Sequence, residues 1–163
     1  MRGFEIVEFC ARDPYIRRVF KGVYSIDHLP ELTSLPSSIV VNTDKKSGKG
    51  KHWVVVSVDA WSRGYFFDSY GFPPLQSALL TFMKENCDVW QYSSTPVQSI
   101  ASVKCGQFCL FYLYHTARGQ PVSRVLSPFS TSNPRVNDLI VSRWYQSNRD
   151  RLRRLSKPQN FSL

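Results

Sequence analysis

Several features are missing from this 163-residue chain, and each absence narrows what the chain can be. No apolar run approaches the roughly 20 residues a membrane-spanning helix needs. Glu5 and Glu8 stand where a secretory signal would place its apolar stretch, which predicts a soluble protein not secreted by the usual route. The 4 cysteines, at 10, 87, 105 and 109, are too few and too scattered for a disulfide scaffold, and none forms a Cys-x-x-Cys pair. Cys105, Cys109 and His115 make a poor zinc set, because the spacing is uneven and no fourth ligand stands nearby. No metal is expected. Repeats and low-complexity tracts are also absent, and 42% hydrophobic with 14% aromatic residues excludes intrinsic disorder. Length alone predicts one domain over 1–163 with a core that needs no staples.

Acidic residues are scarce, 12 against 21 Lys and Arg, for a net charge of +9. Nine of the basic residues lie from Arg118 onward, against only Asp138 and Asp150, so +7 of that excess sits in the last quarter. A localised basic segment suits a polyanion such as nucleic acid. A solvated basic helix without a partner is the plainer reading.

The patterning predicts an α+β fold. Residues 4–12 read as a helix that Asp13-Pro14 ends. A turn-rich stretch follows, then a strand at 37–42 and a Gly/Lys loop at 44–51. Residues 52–59 are β-branched and apolar on both faces, as a central strand would be, and 64–70 forms its antiparallel hairpin partner. Pro73-Pro74 opens a helix over 75–86 with apolar positions 75, 79, 82 and 83, and 89–92 is a further strand. Residues 105–118 form a helix apolar nearly all round, hence buried, closed by Gly119. Asn137 is read as the cap of a basic C-terminal helical segment at about 137–157, with Leu139, Ile140, Trp144, Leu152 and Leu155 inward. The architecture is then a mixed or antiparallel sheet around one buried helix.

Three residues could share one reaction centre. His52 starts the central strand beside the glycine loop, where rigid scaffolds present catalytic groups. Asp68 interrupts an apolar strand, and an unpaired carboxylate there is costly. A hairpin closed around 61–63 makes it a cross-strand neighbour of His52, able to hold the imidazole's tautomer. Cys105 begins the buried helix, where free N–H groups and the helix dipole favour a thiolate, and Gly106 leaves room for a substrate backbone. Gln98, in the preceding Ser/Thr/Pro loop, could hold an oxyanion together with the Cys105 N–H. Cys109, one turn deeper, is inert packing. Taken singly, each has a bland reading: a structural histidine, a solvent-facing Asp, a core cysteine, a loop amide.

The order His52-Trp53, Asp68, Gln98, Cys105-Gly106 resembles the adenovirus-type cysteine proteinases (adenain), in the same clan as the proteases that remove SUMO and other ubiquitin-like tags. The seven-residue Gln98-to-Cys105 interval, Cys105-Gly-Gln-Phe-Cys109, Pro14-Tyr15, Gly22-Val-Tyr24 and Val41-Asn-Thr43 all look like the adenoviral branch. The likeness runs from about residue 5 to 117 and fades in the C-terminal segment. It implies a cysteine endopeptidase cleaving virion precursor proteins after glycine, acting as a monomer in the virion and host nucleus. His52, Asp68, Gln98 and Cys105 would be catalytic, and Trp53 and Gly106 substrate-binding. It also implies an activating viral peptide disulfide-bonded to Cys87, eleven residues before Gln98. Viral DNA is the other implied cofactor, held by Arg143, Arg149, Arg151, Arg153 and Arg154. Two departures stand out: adenain has Glu at the position of Asp68, and Lys104 beside the nucleophile is atypical. The alternatives are a deconjugating protease for ubiquitin-like tags and a non-enzymatic basic DNA- or core-binding protein.

Overall fold

The computed structural model describes residues 1–155. Its centre is a five-stranded mixed sheet in the order β1-β2-β3-β4-β5: β1 (Phe20–Ser25), β2 (Ser37–Asn42), β3 (Trp53–Val58), β4 (Arg63–Phe67) and β5 (Val89–Tyr92). β1 pairs parallel to β2 and β4 parallel to β5, while β2–β3 and β3–β4 are antiparallel. β3 is therefore central. Its unbroken Val54–Val56 run follows from cover on both faces, since an alternating pattern suits only a sheet with one wet side.

One face holds Val40, Val55 and Phe67 against the helices α1 (Gly3–Arg12), α3 (Cys105–Thr116) and α5 (Pro134–Leu155). The other packs Ile39, Val41, Val54, Val56 and Phe66 against α2 (Ser77–Asn86). α3 lies at the heart of the first layer and touches β3, α1, α5 and the short α4 (Val122–Leu126). Phe108 to Leu113 are all buried, so a helix with no polar stripe is what this position demands. Among the described residues no helix is long and apolar enough to cross a membrane.

The structure differs from expectation in several places. β1 replaces part of the turn-rich stretch; its Gly22 and a register shift between Phe20 and Gly22 hide the strand pattern. The 3-10 turn at Ile16–Arg18 and α4 are also additions. α2 starts at Ser77, leaving Leu75 outside it and 70% exposed. β4 ends at Phe67, so Asp68 opens a turn, with Gly71 N–H bonded to Asp68 O at 2.9 Å, instead of lying within the strand. α5 begins at Pro134, a residue suited to a first helical turn, and Asn137 is fully buried inside it rather than capping it. Its buried face carries Asn137, Val141, Tyr145 and Leu152, while Leu139 and Leu155, expected to face inward, are exposed. Residues 156–157 of the expected basic segment lie outside the described residues.

Candidate active site

The β3–β4 register decides how His52 and Asp68 meet. Val55 faces Phe67, and continuing that register three steps faces His52 with Tyr70. The imidazole stacks on the Tyr70 ring, centroids 4.8 Å apart. Asp68 is then the diagonal neighbour, within reach of a long side chain. His52 Nε2 donates to Asp68 Oδ1 at 2.7 Å, and the Tyr70 backbone N–H donates to the same oxygen at 2.8 Å. Asp68 is 5% exposed, so its carboxylate is enclosed with its partners.

Cys105 also interacts with the imidazole. Burial works against the imidazolium, but bonds to Asp68 and Cys105 and their charges outweigh it and raise the His52 pKa to about 9. Burial likewise opposes the thiolate. The bond from His52, N–H groups of Trp53 and Gly106, and the imidazolium charge overcome it and bring the Cys105 thiol below its ordinary value. α3 supplies the Gly106 N–H because the first N–H groups of a helix have no partner within it. These contacts favour the thiolate–imidazolium form of the pair over the neutral one.

Trp53 holds the site from three sides. Its backbone N–H meets the Cys105 sulfur, its carbonyl accepts from Cys109 Sγ at 3.3 Å, and its indole N–H donates to Met1 O at 3.1 Å. Cys109 is buried with its thiol held far above the ordinary value, mainly by desolvation, so of this pair only Cys105 has thiolate character. Gly106 faces the Met1 side chain, and a Cβ there would come 2.8 Å from the Met1 sulfur.

Gln98 is near the site but not turned into its cleft. It is 2% exposed; Oε1 accepts from Ser69 Oγ at 2.6 Å, and Nε2 donates to Tyr70 Oη at 3.1 Å and Ser102 O at 2.8 Å. Both amide hydrogens are thus committed. The 68–71 turn and the 97–98 loop are knitted by Val97 and Gln98 N–H groups, both bonded to Ser69 O at 2.9 Å. Gly71 sits at φ +75°, and a Cβ there would lie 2.8–2.9 Å from backbone atoms of 94–96. Only glycine fits that approach. Tyr70 went unsingled in the sequence although it touches His52, Asp68 and Gln98; the continued hairpin register was the signal that could have found it.

The remaining candidates are dispersed. Cys87 follows α2 beside the edge strand β5, is 8% exposed, and burial with nearby Asp88 and Asp59 pushes its thiol up to about 11. Arg149 is engaged with Gln146 and Asp150, Arg151 donates to Tyr114 Oη, and Arg153 lies 4.0 Å from Glu8. Arg143 and Arg154 are exposed.

No protein-family model matches the chain. The protease of Porcine adenovirus A serotype 3 is 27% identical over 131 residues, covering 68% of this chain and 64% of that protein. The chain is similar to this adenoviral protease. It spans just under two thirds of that relative's length. Among solved structures, the crystal structure of ASFV pS273R protease matches with a TM-score of 0.53 at 17% identity, over 77% of this chain and 60% of that one. A selenomethionine crystal structure of the same protease gives 0.46 at 23% identity, over 60% and 40%. The α+β fold is shared with the ASFV protease structure.

Proposed function

We propose that the chain is a viral cysteine endopeptidase that cleaves virion precursor proteins after glycine during particle maturation. The observation that carries this reading is His52, bonded to Asp68, sharing a cleft and an electrostatic interaction with Cys105 at the N-terminal end of a buried helix. The Cys105 thiolate attacks the scissile carbonyl carbon, forming a C–S bond. His52 gives its proton to the leaving amine as the C–N bond breaks. Neutral His52 then takes a proton from water, whose oxygen displaces the thiolate from the thioester and restores the ion pair. The backbone N–H at Cys105 helps hold the oxyanion; Gln98 joins it by giving up its bond to Tyr70 Oη or Ser102 O. Trp53 and Gly106 receive the substrate backbone, at a place where a Cβ on residue 106 would meet the Met1 side chain.

An activating peptide would join the sheet at β5 and bond to Cys87, whose thiol must first be uncovered. DNA would use the exposed arginines of α5, Arg143 and Arg154 foremost, and both cofactors belong to a protein working in the virion and host nucleus. A thiol-reactive Gly-Gly peptide probe tests the core of the reading: mass mapping should find the label on Cys105. Cys105→Ala should abolish cleavage of core precursors, and label on Cys87 or residual turnover by the variant would sink it. Faster turnover of a ubiquitin-like fusion than of core precursors would favour the deconjugating class instead.

A further inference from the structure

Beside Cys105 the structure opens a cleft of about 700 Å³. Its walls carry Arg2, Lys45, Lys46, Lys49, Lys51 and His28, and among the described residues no Asp or Glu lines it. The lysines belong to the loop between β2 and β3, where four of them face the single Asp44, for a net +3. That carboxylate is spent locally: it accepts from Gly50 N–H at 3.2 Å and Lys45 N–H at 3.0 Å and lies 3.8 Å from Lys51 Nζ. Asp27, the next acid, accepts from the Lys46 backbone N–H at 2.9 Å and lies 3.2 Å from His28 Nδ1. Among the described residues the ammonium groups of Lys45, Lys46 and Lys49 have no acidic partner.

The loop is held in place as well as charged. Asn42 Oδ1 accepts from the N–H groups of Asp44 at 2.9 Å and Lys51 at 3.1 Å, and Gly48 N–H bonds to Lys45 O at 2.8 Å. The cations are thus presented by a fixed turn at the rim of the cleft that also contains His52, Trp53 and Cys105. A chain lying across the thiol must pass this rim. Cations on one wall raise the local concentration of oppositely charged ligands and select among them.

We infer that the cleft selects polypeptide segments with clustered Asp and Glu next to the scissile bond. The inference rests on the protease reading and adds to it the chemistry of the substrate. A polypeptide is favoured over a nucleic acid because the cations converge on the cleft that exposes the nucleophile, where a bound duplex would block it.

The test measures binding and turnover separately. Labelled Gly-containing peptides of equal length, with three Asp, three Ser or three Lys on either flank, are titrated onto the Cys105→Ala protein. The acidic peptide should bind about tenfold tighter than the neutral one at low salt, from three weak exposed pairs, and lose that advantage at high salt. The triple variant Lys45→Glu/Lys46→Glu/Lys49→Glu should reverse the order and prefer the Lys peptide, a gain that misfolding cannot produce. Equal binding of all three peptides, or a duplex DNA that displaces the acidic peptide at lower concentration than the peptide itself binds, overturns the inference. Wild-type protein that binds acidic peptides preferentially but cleaves none would overturn the protease reading and leave the charge selection standing.

Discussion

Burying an imidazole ordinarily drives its proton off, yet His52 is held protonated to about pH 9 because Asp68 and Cys105 both favour the charged ring. Activity carried by a thiolate–imidazolium pair rises as Cys105 loses its proton and falls as His52 loses its own. The alkaline limb of kcat/KM should therefore lie near pH 9, as a property of the coupled pair. Asp68→Asn removes the charge that most favours the imidazolium, so the limb should move toward lower pH, and the pH profile of Cys105 alkylation should move with it. An unmoved limb would show that Asp68 does not set the histidine's charge state. The His52–Asp68 contact was legible because a carboxylate in an apolar stretch must find a partner. The diagonal geometry was not, because it depends on register, and a shift of two positions replaces Asp68 by Tyr70 opposite the ring. The state of Gln98 was hidden for a related reason: its three partners, Ser69, Tyr70 and Ser102, come from two loops whose packing no periodicity reveals.

At the scale of elements, the strands and helices with one dominant pattern were readable, and errors fell where two signals competed. In α5 an Asn looked like a cap, but Pro134 already starts the helix and Asn137 works from its interior. Its Nδ2 donates to Val97 O at 2.9 Å and Ser130 O at 2.7 Å, and its Oδ1 accepts from Ser130 N–H at 2.8 Å. Asn137 therefore ties α5 to the residue immediately before Gln98. Asn137→Ala leaves buried backbone groups without partners and should cost about 2–3 kcal/mol in a urea titration. Because the Val97 carbonyl is released, kcat should fall along with stability, whereas the alkaline limb set by His52 should stay where it is. A variant as stable as the wild type would mean that water or neighbouring groups replace all three bonds.

For the molecule as a whole, the decisive contact joins residues 105 positions apart. Arg118 Nη2 donates to Asp13 Oδ2 at 2.7 Å, linking the ends of α3 and α1. Asp13 is fully buried, and its other oxygen accepts from the N–H groups of Tyr15 and Ile16, both at 3.0 Å. The guanidinium also donates to Tyr114 O at 2.8 Å and lies 3.4 Å from the Tyr114 ring centroid and 4.5 Å from that of Tyr15. Such a pair adds little over a well-packed apolar substitute, but removing one member strands the other charge in the interior. Arg118→Met should therefore lower stability by about 3–5 kcal/mol. The double variant Asp13→Asn/Arg118→Met should recover much of that, since Asn keeps an acceptor for Tyr15 and Ile16 without a charge to strand. Cys105 begins the same helix three turns away, held by His52 and Trp53 rather than by this pair. Under conditions where Arg118→Met is folded, its Cys105 should thus alkylate at the wild-type rate. A loss below about 1 kcal/mol would show that solvent reaches Asp13 and that the two helices are joined by apolar packing alone.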